Sequence, residues 1–168
     1  MNKVRSGIKK YTPYVLLLLG MWVIVTFFIA GGINTNPKVI NPNEPTKIYY
    51  FTVFHVMFGK SFKVGSGTLT YFKPNFLGFM ILIPMIVGLI ISTINQVQYK
   101  VRHLISGLLL LISGISIFAL PHKANLGGAW LDTSQVTITG SAVTIVAGTL
   151  ILVFSAINFV LLFLKDKK

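Results

Sequence analysis

Four long runs of apolar residues, at 14–30, 76–94, 104–120 and 138–164, divide the chain, and polar or turn-forming segments separate them. Each run is close to or above the roughly 20 residues that an α-helix needs to cross a bilayer. The pattern predicts a four-helix transmembrane bundle, an all-α membrane protein in a single integral membrane domain spanning residues 1–168. Lys3, Arg5, Lys9 and Lys10 precede the first run, a layout shared by cleaved signal peptides and retained anchors. Its length, and the absence of a small residue three before the end at Phe28-Ile29-Ala30-Gly31, favour a retained anchor. Pro84 falls near the middle of the second run, where it frees the carbonyl of Met80 and predicts a tolerated kink. The short link at 95–103 makes the second and third runs antiparallel neighbours, and Pro121 stops the third.

The segment at 31–75 is the only stretch outside the runs long enough to fold into something of its own. Ile48-Tyr49-Tyr50-Phe51-Thr52-Val53-Phe54-His55-Val56-Met57-Phe58 is dense in β-branched and aromatic residues and too short to span, which predicts a strand over 48–58. Alternation along that strand places Tyr50, Phe54 and Phe58 on one face and Phe51, Val53 and Met57 on the other. Further strands are predicted at 62–64 and 68–72, with turns at Gly59-Lys60 and Gly65-Ser66-Gly67. Residues 34–46, with Pro37, Pro42 and Pro45, predict an irregular extended lead-in. The loop at 121–137 carries Trp130 and a β-like stretch at 136–139 that offers an edge strand to the same cap. The expected fold is thus a helical bundle with a small β-rich extracytoplasmic cap between the first two helices.

Composition agrees with a membrane protein: of 168 residues 54% are hydrophobic and 11% charged, with a mean hydropathy of +0.77. The net charge of +12 is read as topology rather than as nucleic-acid binding, because the cations cluster beside the apolar runs. With the N-terminus in the cytoplasm, nine of the fifteen Lys and Arg fall in the short segments at 1–13, 95–103 and 165–168. This asymmetry predicts a plasma-membrane, multi-pass protein with both termini cytoplasmic. Lysine outnumbering arginine by thirteen to two, with abundant Ile, Asn and Phe, points to a bacterial genome rich in A and T. The cap and the second outer loop carry a net positive charge that suits anionic headgroups or cell-wall polymers, or simply keeps the cap soluble.

Candidate chemistry is sparse. The chain has no cysteine, and its three carboxylates are Glu44, Asp132 and Asp166. The four runs hold no ionisable residue between their ends, which removes the usual sign of a proton relay or ion site. His55, His103 and His122 are expected at surfaces or interfaces rather than on a metal, with His103 and His122 at opposite ends of the third run. No phosphate loop, nucleophile elbow or zinc motif is present, so neither a cofactor nor an enzymatic activity is expected.

Helix packing is better marked. Gly140, Thr144 and Gly148 repeat every four residues on the last run, and Ser106, Gly107, Ser113 and Gly114 repeat every seven on the third. Such small faces let helices approach closely, inside the bundle or between copies. Asn95 and Asn158, both near the inner boundary, are predicted to hydrogen-bond between helices two and four. The aromatic residues Tyr50, Phe54, Phe58, Tyr71 and Trp130 form the expected outer interaction surface.

Four crossings with a β-rich segment between the first two resemble, in layout alone, the claudins and related tetraspan membrane proteins. The tryptophans and the cysteine pair that mark claudins in that segment are absent from residues 31–75. The expected function is a non-enzymatic scaffold or accessory subunit in contact with the lipid bilayer and with another membrane or envelope protein or a second copy. The alternative is a transporter or channel component acting as an oligomer.

Overall fold

In the computed structural model, which describes residues 2–29, 31–37, 49–130 and 136–163, three helices are long and apolar enough to cross a membrane. They are α3 (Phe76–Thr93), α4 (Tyr99–Ala119) and α5 (Ala142–Phe163). At 1.5 Å per residue they measure about 27, 32 and 33 Å. Their outward positions are apolar, including Ile83, Ile90, Leu108, Ile115, Val153 and Val160. Their inward positions hold buried polar side chains: Ser92, Ser106, Ser113, Thr144, Ser155 and Asn158. An apolar exterior around a partly polar interior inverts the soluble arrangement and suits a bundle solvated by lipid.

A longer helix, α1 (Asn2–Thr26), runs beside α3 and α5, but its apolar stretch is confined to Tyr11–Thr26 and is shorter than the other three. Gly20 lets α1 close on Leu89, whose side chain lies where a Cβ would go, 2.3 Å away.

Between α1 and α3 the chain builds β1 (Ile33–Pro37), β2 (Tyr49–Phe51), a short helix α2 (Val53–Phe58), and the strands β3 (Lys60–Val64) and β4 (Gly67–Phe72). After α4 come a 3-10 turn at Pro121–Lys123 and the strand β5 (Val136–Gly140), which leads into α5. The strands form two antiparallel units: a three-stranded sheet in the order β2-β1-β5 and a β3–β4 hairpin. The hairpin turns at Gly65-Ser66, with Gly65 at a φ of +59°, the positive value such a turn needs at its first central residue.

Both units sit at one end of the bundle. The Asn75 backbone N–H donates to the Met57 carbonyl at 2.8 Å, and Asn75 caps α3 by accepting from the N–H of Leu77 at 3.0 Å. The Asn75 amide also donates to the carbonyl of Lys123 in the 3-10 turn that follows α4. The Gly32 carbonyl accepts from the Thr144 hydroxyl and from the Ser141 N–H, tying β1 to the start of α5.

Several expectations need correction. The predicted strand at 48–58 is a three-residue strand followed by a helix, because Thr52 and His55 form a reciprocal cap. The Thr52 hydroxyl accepts from the His55 N–H at 3.1 Å, and His55 Nδ1 accepts from the Thr52 N–H at 3.4 Å. Val53, Val56 and Met57 are then buried at helical spacing, so Val53 and Met57 share a face for a reason other than alternation. Residues 34–37 of the expected irregular lead-in lie in β1, the central strand of the sheet, while 38–46 lie outside the described residues. The last helix starts at Ala142 rather than 138, since 136–140 pair with β1. The β-like stretch of the second loop therefore joins the β1 sheet at an edge, not the hairpin.

Pro84 lies within α3, which stays helical around it. The Ser113 hydroxyl of α4 donates to the Ile81 carbonyl at 2.8 Å, next to the Met80 carbonyl that Pro84 cannot bond.

Candidate functional site

Two places concentrate specific chemistry, one at each end of the bundle. At the β-rich end, Phe51 is the hub of an aromatic cluster. Its ring centroid lies 4.9 Å from Phe72, 5.5 Å from Tyr71 and 6.3 Å from Trp130, mostly edge to face. Trp130 Nε1 donates to the Tyr71 carbonyl at 2.9 Å, and Tyr71 and Trp130 are 5.4 Å apart. The second loop thus clamps one edge of the hairpin, helped by Gly127 N–H to Tyr71 carbonyl and Ala129 N–H to Thr70 carbonyl, both 2.9 Å.

A second aromatic row joins three elements: Phe28 stacks on Phe54 at 4.7 Å, Phe54 meets Phe58 at 4.7 Å, and Phe58 meets Phe79 of α3 at 5.6 Å. Of the five aromatic residues expected at the interaction surface, Phe54, Phe58, Tyr71 and Trp130 therefore brace the end of the bundle. Tyr50 is 62% exposed.

The open face of the hairpin carries residues that the sequence reading passed over. Phe62 and Leu69 are direct cross-strand partners and are 49% and 42% exposed. Phe62 leans edge-on to Tyr71 at 5.7 Å, and Lys60 Nζ stands 4.6 Å from the Phe62 ring centroid. Strand alternation was the available signal, since 62 and 69 face each other in any hairpin turning at 65–66.

His55 lies behind this surface, with its ring 6.3 Å from Phe51. Burial, and secondarily the charge of Lys60, lowers its pKa from the ordinary 6.5. Both favour the neutral ring, whose Nδ1 lone pair closes the α2 cap.

The opposite end holds a buried polar cluster. α4 begins at Tyr99, earlier than the apolar pattern shows, and so takes Arg102 and His103 into its first turns. His103 was expected at a surface or an interface; it is fully buried between α4 and α5, and Nδ1 is 2.8 Å from Asn158 Oδ1 of α5. Because the Asn158 amide nitrogen donates to the Phe154 carbonyl at 2.9 Å, its oxygen is the acceptor and His103 Nδ1 carries the proton. Nε2 of the ring is buried without a hydrogen-bond partner among the described residues.

Arg102, expected in the link at 95–103 between the second and third runs, is 8% exposed. Its Nη1 donates to the Ile94 carbonyl at 3.1 Å and to Asn95 Oδ1 at 2.8 Å, locking the α3–α4 loop. Asn95 and Asn158, expected to bond each other, thus engage Arg102 and His103 respectively. Asn95 is exposed, and Asn158 is fully buried.

Between these ends the small residues set the helix spacing. A Cβ on Gly107 would meet the Phe159 ring at 2.9 Å, one on Gly114 would meet Leu152 at 2.6 Å, and one on Gly148 would meet Phe118 at 2.7 Å. The α4–α5 contact is therefore a set of notches filled from the facing helix. Ser106 donates to the Gly88 carbonyl and Ser155 to the Gly107 carbonyl, each at 2.7 Å, while Ser113 reaches α3 as described. Gly140 lies just outside α5, with Thr144 Cβ 3.3 Å from where its own Cβ would stand.

No group of three or more metal-ligating side chains is found among the described residues. No known protein family matches the chain, and neither does any curated protein or solved structure.

Proposed function

We propose that this chain is a non-enzymatic accessory or scaffold subunit of the plasma membrane, whose β-rich end faces away from the cytoplasm and docks against another membrane or envelope protein. In this reading α1 makes a fourth crossing, which leaves both termini in the cytoplasm with most of the cations. The placement of α1 along α3, with its end at the β-rich side, supports that topology.

The observation that carries the docking role is the Phe62–Leu69 pair. An apolar pair on the open face of a hairpin loses nothing by being covered, and the hairpin beneath it is held rigid by Tyr71, Phe51 and Trp130. Rigid aromatic side chains with few torsions to freeze are favourable contact residues at protein interfaces. Lys60, whose Nζ stands 4.6 Å from the Phe62 ring, supplies a charged rim that selects an acidic partner surface.

The test is photo-crosslinking from residue 62 or 69 in native membranes. A discrete protein adduct is expected, with loss of that adduct in Phe62→Ser. Adducts to lipid only, or none, would remove the docking role.

A second reading, a transporter or channel component acting as an oligomer, draws on Arg102 and His103. Ionisable groups buried within a membrane helix commonly mark a transport path. Solute flux in proteoliposomes of the pure protein, abolished by His103→Leu, would bring it forward.

A further inference from the structure

The guanidinium of Arg102 is built into the bundle by one side only. Both of its side-chain hydrogen bonds among the described residues come from Nη1, which is spent on Ile94 and Asn95. Nε is buried without a partner. In a guanidinium the Nε–H and the outer Nη2–H lie side by side and form a second fork, matched to two oxygens of one phosphate or carboxylate. The plane is fixed by the loop contacts and by the Tyr99 ring, whose centroid is 5.1 Å from Cζ. The same ring meets His103 at 4.5 Å.

A cation this buried requires an anion, because removing it from water costs several kcal/mol unless it is paired. Among the described residues there is no carboxylate: Glu44, Asp132 and Asp166 all lie outside them. Position narrows the choice of anion. Arg102 stands in the first turn of α4, at the end of the bundle away from the strands, where a spanning helix meets the phosphate layer of a bilayer.

We propose that the unpaired fork of Arg102 takes a phosphate group, that of an anionic phospholipid at the strand-free end of the bundle, which displaces the atoms that cover Nε. The side chain is only 8% exposed, so the occupant is one small group seated against Tyr99 and the loop rather than a polymer lying over a basic surface. The site requires the bundle to sit in a bilayer and does not require the cap to bind a partner. Crosslinking results at Phe62 therefore leave it standing or falling on its own.

The test is native mass spectrometry with thermal unfolding of the full chain in detergent, titrated with phosphatidylglycerol, phosphatidylcholine or inorganic phosphate. The wild type is expected to retain phosphatidylglycerol at least about tenfold better than phosphatidylcholine and to gain thermal stability from it, as a bidentate charge-assisted contact implies. Arg102→Gln should lose the preference, and Arg102→Lys, which keeps the charge but not the fork, should keep only part of it. An equal response of wild type and Arg102→Gln would overturn the site, as would no lipid preference in the wild type, a result independent of how the variants fold. An Arg102-dependent gain from inorganic phosphate alone would keep the phosphate site and overturn the lipid as its source. Coupled losses in Arg102→Gln and Asp166→Asn without any lipid preference would identify the chain's own carboxylate as the partner and overturn the proposal.

Discussion

His103 of α4 and Asn158 of α5 meet at 2.8 Å in the interior of the bundle, with neither side chain exposed. The bond is one link in a chain running from the Phe154 carbonyl through Asn158 to the imidazole. Asn158→Leu leaves the His103 N–H without an acceptor, and a buried unsatisfied donor costs about 1–3 kcal/mol. His103→Leu strands the Asn158 oxygen in the same way. The double variant should therefore be less destabilised than the sum of the singles, with a coupling of about 0.6 kcal/mol, typical of such bonds in membrane bundles, and at most about 1.7 kcal/mol. Thermal or denaturant unfolding in detergent gives all four corners. The cycle between Asn95→Leu and Asn158→Leu should show no coupling beyond about 0.5 kcal/mol, since those side chains bond to different partners.

Gly127 and Gly128 are adjacent and should respond in opposite ways to the same methyl group. A Cβ at Gly127 would fall 2.1 Å from the Thr70 carbonyl oxygen, a backbone atom of β4 that cannot swing aside. Nothing lies within 4 Å of a Cβ at Gly128. Gly127→Ala is expected to lift the second loop off the hairpin, breaking the Gly127 and Ala129 hydrogen bonds and withdrawing Trp130 from Phe51. The measurement is proteolysis of the loop with Trp130 fluorescence. Cleavage should be faster in Gly127→Ala and unchanged in Gly128→Ala, and equal behaviour of the two would show that the loop is not docked on β4.

The sequence made the helical bundle legible because its runs of Ile, Leu, Val and Phe are long and apolar enough to cross a membrane in three of the helices. It located α3 to within a residue or so at each end. The cap was harder to read. Ile48 to Phe58 has the composition of a strand, and only the Thr52–His55 spacing and the triplet Val53, Val56, Met57 signal a helix; composition and period disagreed, and the local cap decided. The central strand β1 reads Ile-Asn-Thr-Asn-Pro, in which strand-disfavouring Asn and Pro outnumber Ile and Thr, and it owes its conformation to long-range pairing with β2 and β5. The polar cluster was missed for a related reason. Apolar pattern alone starts the third helix after His103, whereas the helix continues one turn further, with Arg102 and His103 turned inward onto partners 7 and 55 residues away.

The proposed topology makes Lys63 and Lys100 label from opposite sides of the membrane. Lys63 lies in β3 at the β-rich end and Lys100 in the first turn of α4, and both are exposed. The chain contains no cysteine, so single Lys63→Cys and Lys100→Cys variants carry one thiol each. A membrane-impermeant maleimide applied to intact cells should label Cys at 63 at once and Cys at 100 only after lysis. The reverse order would invert the orientation and place the hairpin in the cytoplasm, where a partner of the cell envelope could not reach it.

Acidification should loosen the cap through His55. Its folded-state pKa is lowered, so the folded protein binds fewer protons than the unfolded chain across the window below the ordinary value of 6.5. The stabilisation from the neutral ring is therefore complete above that value and is lost as the pH falls through the lower folded-state pKa. The structural cause is visible: protonated Nδ1 cannot accept from the Thr52 N–H, and the added charge faces Lys60. His55→Gln supplies the usual capping-box residue, which accepts at any pH, and should keep the α2 cap while flattening its dependence on acid. Thr52→Ala removes the other half of the cap and should cost about 1 kcal/mol at every pH. Histidine ring NMR, followed alongside hydrogen exchange of the Thr52 and His55 amides, separates the two. If the Thr52 amide in the wild type exchanges with no change in protection between pH 7.5 and pH 5, after correction for intrinsic rate, the imidazole is not what closes the cap.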